Sequence, residues 1–291
     1  MTIDWALADL PDLTDRTVVV TGGTRGIGLA VTERLRAAGA TVLTGARTAA
    51  ADDDSAVLDL ADPASVATFA GWVGDRTDRV DLLVNNAAVS GVPFALSALG
   101  VERQFAVNHL GHAALTHRLL PLLEVAPAGR IVTVSSAMYA MLPGIDLASL
   151  ATAEDYVPGV AYVRSKLANV LFATELDRRL RASGSPVRSL LADPGIAFTS
   201  MHEGYPDEQT TQMVQGMLAD SGREALPASV GILYAATAPL GDLAADVMYG
   251  PTGGKEDPRV LEAPIAAVGL DAVGATALWD RTHELLAGAS V

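Results

Sequence analysis

The sequence has no cysteine, which removes disulfides, thiolate metal sites and cysteine nucleophiles together and leaves histidine and carboxylates as the available metal ligands. Lysine is nearly absent as well: of 20 basic residues only Lys166 and Lys255 are lysines. Half of the residues are hydrophobic, yet no run approaches the roughly 18 to 20 unbroken apolar residues of a membrane-spanning helix, so a soluble chain with no membrane partner is expected. The first residues, MTIDWALADLPDLTDR, carry acids and no basic stretch followed by an apolar one, so no secretory or transit signal is visible and a cytoplasmic location is expected. No cluster of Lys and Arg offsets the net charge of −14, which repels a nucleic-acid backbone, and nucleic acid is not expected as a partner. Repeats, linkers and low-complexity tracts are also missing. With 291 residues, the chain can bury one large core, and a single domain over 1–291 is expected.

What is present is an alternation of strand and helix patterns. TVVVT (17–21) is a β-branched run followed by a Gly-rich turn and an amphipathic helical stretch that Gly39 ends. TVLTGAR, AVLDL and RVDLLVNN continue as strands apolar on both faces, with a helix from about Asp62 or Pro63 to Val73. A long helix around 101–123, the strand RIVTVSS, a second long helix around 160–182 and the strand VRSLLAD follow. The stretch 196–226 reads as irregular and as the substrate-loop region. A helix that Pro227 opens, a short strand around 247–249 and a terminal helix complete the chain. The expected fold class is α/β: one Rossmann-type, doubly wound parallel sheet flanked by helices, with its ligands at the carboxyl ends of the strands.

At the first of these ends stands Thr21-Gly22-Gly23-Thr24-Arg25-Gly26-Ile27-Gly28. Gly22 permits a tight turn, Gly26 lets backbone approach a pyrophosphate, and Gly28 lets the helix pack closely, while the helix N-terminus attracts the anion. About twenty residues on, where a carboxylate would bind the ribose of NAD, the strand ends Gly45-Ala46-Arg47. Arg47 with Arg25 suits a 2′-phosphate, so NADP(H) is preferred, with NAD(H) left open. Asp59 and Leu60 offer a place for adenine, and Asn85, Asn86 and Ala87 put amides and a small residue beside the ribose.

At the chemical end, Tyr162 and Lys166 are four apart on a helix and share a face. A phenol near pKa 10 is a poor acid–base catalyst at neutral pH, and a neighbouring cation favours its phenolate. With six tyrosines and two lysines, chance yields this spacing in only about one such chain in twenty-five. Ser136, after Ser135, ends a strand where its hydroxyl can meet a carbonyl oxygen, and Asn108 is out of place inside an apolar helix, where it can hold a kink or a water. His109, His112 and His117 share that helix without a cooperating carboxylate pair, and no metal is expected. Candidate substrate walls follow the strand ends: Val89 to Val92; Met138, Tyr139 and Met141; Tyr156; Met201 and Tyr205.

Together these residues resemble the short-chain dehydrogenase/reductase family over nearly the whole chain. TGGTRGIG is similar to its TGxxxGxG turn, VNNAA to its NNAG segment, VNHLGH to its Asn-bearing helix, VSS and YVRSK to its catalytic Ser and YxxxK, and DPGIAFT to its PG…T cofactor segment. VNHLGHAALTHRLLPLL, AYVRSKLANVLFATEL, YGPTG and ALWDRTHELLAG are most similar to the retinol-dehydrogenase-like branch. The resemblance implies Tyr162 as proton donor or acceptor, Lys166 on the nicotinamide ribose, Ser136 on the substrate oxygen and Asn108 anchoring a proton-relay water. It also implies that Pro194, Gly195 and Thr199 contact the cofactor. It implies a small-molecule carbonyl or alcohol substrate, and either a homodimer or homotetramer built through the two long helices or, as in some related members, a monomer. The sequence departs from the family pattern at Ala88, at Asp193 and in a longer stretch between Ser136 and Tyr162. A nucleotide sensor without turnover, and a nucleotide-sugar epimerase or dehydratase, are the rival readings.

Overall fold

The computed structural model describes residues 1–199, 201, 208–253 and 258–288. Among them a nine-stranded sheet runs in the order β1-β9-β8-β7-β6-β5-β2-β3-β4. Its strands are β1 (Thr2–Ile3), β2 (Thr17–Thr21), β3 (Thr41–Ala46), β4 (Ser55–Val57), β5 (Leu82–Asn85), β6 (Arg130–Val134), β7 (Arg188–Ala192), β8 (Val247–Gly253) and β9 (Pro258–Pro264). Strands β2 to β8 are parallel to one another. The order reverses at β2, which pairs with both β3 and β5, and that reversal opens the crevice where a doubly wound sheet binds its ligand.

Helices cover both faces, which is why these strands are apolar throughout and do not alternate. Val19, Leu43, Leu83, Ile131 and Leu191 enter one core cluster, and Val18, Val20, Val42, Leu82, Val84 and Val132 enter the other. The first cluster is shared with α2 (Pro63–Gly74), α4 (Gly111–Glu124), α5 (Pro158–Ala182) and α9 (Ala272–Ala287), and the second with α1 (Gly26–Ala37) and α8 (Val230–Thr237). α3 (Arg103–Phe105) runs into α4 through one π turn, Ala106–Leu110. Local chemistry sets the helix starts: the Asp62 carboxylate accepts from Ala64 N ahead of Pro63, and Pro158 opens α5.

Four features depart from the sequence reading. The strand expected around 247–249 continues to Gly253 and pairs antiparallel with β9, and β1 in turn pairs with β9. The irregular stretch 196–226 contains α6 (Glu208–Ser221). Pro227 lies inside α7 (Ala225–Ala228), whose N-cap is Glu224, so it does not open the helix.

α9 is docked on the two long helices. Trp279 stacks on Phe172 of α5 with ring centroids 5.2 Å apart, the Arg179 guanidinium lies 4.5 Å over the indole, and His109 bonds Thr282 at 2.9 Å. Trp279→Ala is expected to destabilise the fold by about 3 kcal/mol, read as a lower urea midpoint at unchanged slope. An unmoved midpoint would mean that the indole is not docked.

Candidate active site

The Gly-rich turn joins β2 to α1 with Gly22 and Gly26 at φ +67° and +55°, a region open to glycine at little cost. A Cβ at Gly28 would collide with the Gly22 carbonyl oxygen and come within 2.6 Å of Asn86 Nδ2. The segment after β5 is laced to the same turn. Thr21 Oγ1 accepts from Asn86 N at 2.9 Å and Ala87 N at 3.0 Å, and Asn86 Nδ2 donates to Thr21 O at 2.9 Å.

An open cleft of about 840 Å³ begins here. Gly22, Thr24, Arg25, Arg47, Asp59, Leu60, Ala87, Ala88, Val89, Arg103 and Val107 are among the residues that line it. A second cleft shares Gly22, Arg25, Ala87 and Ala88 and runs past Gly26, Ile27 and Gly28 to Thr199 and Met201. The two open from one point at the topological switch, one toward Arg47 and one toward Thr199. Among the described residues none of Arg25, Arg47 and Arg103 is in an ion pair. Asp59 spends one oxygen on Ala61 N at 2.9 Å.

Sequence reasoning missed Arg103. The available signal was its place four residues before Val107 on the helix that leads into Asn108. Asn85 is a correction to the expectation that its amide lies beside the ribose. Period-2 alternation puts it on the Leu83 side of β5, where it is buried and Nδ2 donates to Thr116 Oγ1 of α4 at 3.0 Å.

The same alternation separates the two serines after β6. Ser135 is buried and donates to Lys166 O at 2.9 Å, whereas Ser136 is half-buried and caps the short 3₁₀ helix Ala137–Met141. From α5, the Lys166 ammonium lies 5.6 Å from the centre of the Tyr162 ring and donates to Val134 O at 3.0 Å. Burial pushes the Lys166 pKa down to about 8, against the opposing pull of the Asp193 carboxylate. Asp193 itself accepts from Ala137 N at 3.1 Å and Gly195 N at 2.9 Å, and its own pKa is raised by burial. Pro194 and Gly195 form the turn that follows, with Gly195 at φ +66°.

Asn108 does mark a kink, the π turn, a distortion often found at functional sites. Its amide accepts from Val89 N at 2.8 Å and donates to Val89 O and to Ser165 Oγ, both at 2.9 Å. The side chain thus clamps the Val89 loop and the Tyr162 turn of α5, since Ser165 Oγ donates to Tyr162 O at 2.7 Å. His112 bonds Asn108 O at 3.1 Å and Thr21 Oγ1 at 2.8 Å, and burial pushes its pKa down to about 4. His109 turns to Thr282, and His117 to Trp279 and His283.

Of the substrate-wall residues, Val89 and Met201 line the clefts, while Met138 is half-buried and Met141 is exposed. Tyr139 is a correction. A 3₁₀ helix repeats every three residues, so it groups 138 with 141 and sends 139 the other way, into the core, where the Tyr139 hydroxyl accepts from Ala266 N at 2.6 Å. The Tyr156 hydroxyl donates to Val92 O and accepts from Gln104 Nε2, both at 2.9 Å, so it fixes a loop and offers the substrate no free hydroxyl. Tyr205 lies outside the described residues.

A sequence profile of the short chain dehydrogenase family matches residues 16–210. Retinol dehydrogenase 14 of Mus musculus is 36% identical over 64% of this chain and 62% of its own length. The chain spans 59% to 63% of the length of the first curated relatives it matches. Among solved structures, an uncharacterized protein from Mycobacterium paratuberculosis is 37% identical with a TM-score of 0.75, covering 97% of both chains. A Pseudomonas 3-alpha-hydroxysteroid dehydrogenase complexed with NADH is 26% identical with a TM-score of 0.65, covering 79% of this chain and 92% of that one.

Proposed function

Because the chain belongs to the short-chain dehydrogenase/reductase family, in its retinol-dehydrogenase-like branch, and is thereby an oxidoreductase of hydride transfer, we propose that it uses NADP(H) to interconvert a carbonyl and an alcohol. The observation that carries the reading is the pairing of Tyr162 and Lys166 on α5 with a cleft edged by three guanidiniums that, among the described residues, are in no ion pair.

The residues present fit a nicotinamide dinucleotide. Glycines at 22, 26 and 28 leave a cradle at the start of α1, where free N–H groups and the helix dipole favour a pyrophosphate. A Cβ at Gly26 would meet Thr199 Cγ2 at 3.3 Å, so the turn and the Thr199 segment face each other closely. Arg25 and Arg47 would hold a 2′-phosphate, and Asp59 and Leu60 would bound the adenine. When bound, the nicotinamide supplies or accepts the hydride.

The chain's own part is to bind, orient and move a proton. Ser136 Oγ donates to the substrate oxygen and stabilises negative charge as it develops. Tyr162 gives that oxygen its proton in reduction and takes it in oxidation. Lys166, a buried cation near the phenol, favours the phenolate and holds the ribose. Asn108 fixes the loop bearing Val89 against the turn bearing Tyr162, so wall and acid keep their spacing.

The test is nicotinamide absorbance turnover over a panel of aldehydes, ketones and alcohols with each cofactor, combined with binding titrations of Arg47→Ala. Loss of a charge-assisted contact to phosphate is expected to weaken NADPH by roughly tenfold to a hundredfold and to leave NADH unchanged. Equal weakening of both nucleotides would remove the basis for the NADP(H) preference.

A further inference from the structure

The Asp193 carboxylate bonds the loop that follows Ser136. Its two oxygens are spent on two different segments, Oδ2 on Ala137 N and Oδ1 on Gly195 N. It therefore stitches the Ser136 turn to the Pro194-Gly195 turn, both at the carboxyl ends of adjacent parallel strands, β6 and β7. Lys166 is close enough for the two charges to act on each other. Burial raises the Asp193 pKa, and against it both carboxylate oxygens accept backbone N–H groups with Lys166 near, contacts that favour the ionised form.

The carbon that exchanges hydride must lie against the carbon whose oxygen Ser136 and Tyr162 bind. A negative charge at Asp193, bonded to the N–H of the residue after Ser136, would therefore act on a nicotinamide ring held there. The ring is cationic when oxidised and neutral when reduced. A half-buried anion attracts the first and is nearly indifferent to the second. If Asp193 were neutral, the Lys166 ammonium would stand without this counter-charge and would disfavour the oxidised ring.

We propose that the Asp193 carboxylate sets the redox preference of the cofactor site, favouring the oxidised over the reduced nicotinamide. This rests on the reading of the site given under Proposed function. It makes Asp193 a specificity-determining residue for the form of the cofactor, distinct from the groups that handle the substrate's proton.

The experiment is a pair of equilibrium titrations at pH 7, NADP⁺ and NADPH separately, on wild type, Asp193→Asn and Asp193→Ser. Thermal melts establish that each variant is folded. The Ser variant keeps one short acceptor for Ala137 N or Gly195 N, so a loss that is only mechanical is reduced in it. The ratio of the NADP⁺ to the NADPH dissociation constant is expected to rise by about tenfold in both variants. Loosening of the turn alone would weaken both forms together and leave the ratio unchanged, and a ratio within twofold of wild type overturns the proposal while the site reading stands. Wild type that binds neither nucleotide overturns both.

Discussion

Tyr162→Phe is expected to lower kcat by a factor of about 10² to 10⁴, the span covered by one positioned acid–base group, with NADPH binding close to that of wild type. The substitution removes one oxygen from a half-buried ring and leaves in place the bonds that position the segment, including Ser165 Oγ to Tyr162 O and Asn108 Nδ2 to Ser165 Oγ. The clefts lined by the Gly-rich turn do not include Tyr162, which is why nucleotide affinity and turnover should part. Single-turnover absorbance changes together with nucleotide titration check this. Turnover undiminished in the variant would sink the assignment of Tyr162, and joint loss of binding and turnover would reassign it to holding the cofactor.

Lys166→Met is expected to abolish turnover and, at pH 7, to stabilise the protein free of nucleotide by about 2 kcal/mol. Burial lowers the Lys166 pKa from an ordinary value of 10.5 to about 8. The folded protein thus holds this proton less tightly than the unfolded chain does. Between about pH 8 and 10 the unfolded chain binds more protons, so stability rises with pH across that window. Below about 8 the ammonium is present in both states and its burial costs stability in full. A methionine of similar length carries no such cost. Two losses keep the gain below the whole penalty: Asp193 loses an opposite charge, and Val134 O keeps only the longer bond from Asn169 Nδ2 at 3.4 Å. The gain should shrink as the pH is raised from 8 to 10. Urea unfolding of both proteins across that range decides the matter, and a variant less stable than wild type at pH 7 would show that Lys166 is well solvated or well paired.

Such a trade between stability and chemistry marks the residues most visible in the sequence. Lys166 stood out because lysine is scarce and because Tyr162 is one helical turn away. Asn108 stood out as an amide among apolar neighbours, and its clamp on Val89 gives the reason. The parallel strands were legible because both their faces are buried, so Val18 to Val20 had to be apolar without alternation.

What escaped was set by partners distant in the chain. β9 is bracketed by Pro258 and Pro264, which count against a strand, and it exists through its pairing with β8. β1 has two residues and depends on β9. α6 has Met213 and Met217 exposed and, among its described side chains, only Val214 buried. Asn85 and Tyr139 were placed by proximity in sequence, whereas the pleat of a strand and the threefold repeat of a 3₁₀ helix turned them away from the cleft. Asp193 was visible as a departure from the family pattern, but its role depends on N–H groups from two separate turns.

The contacts of His112 have a direction. A backbone carbonyl can only accept, so the bond to Asn108 O requires the proton on Nδ1, and a neutral ring then leaves Nε2 as a bare acceptor. The Thr21 hydroxyl must therefore point its hydrogen at the imidazole, while its lone pairs receive Asn86 N–H and Ala87 N–H. Polarity flows one way, from the amides beside the nucleotide cleft, through a hydroxyl and a single histidine tautomer, to the carbonyl of the π turn. The nucleotide end and the proton-transfer end of the crevice are thereby parts of one oriented hydrogen-bond chain, in which no member can reverse alone.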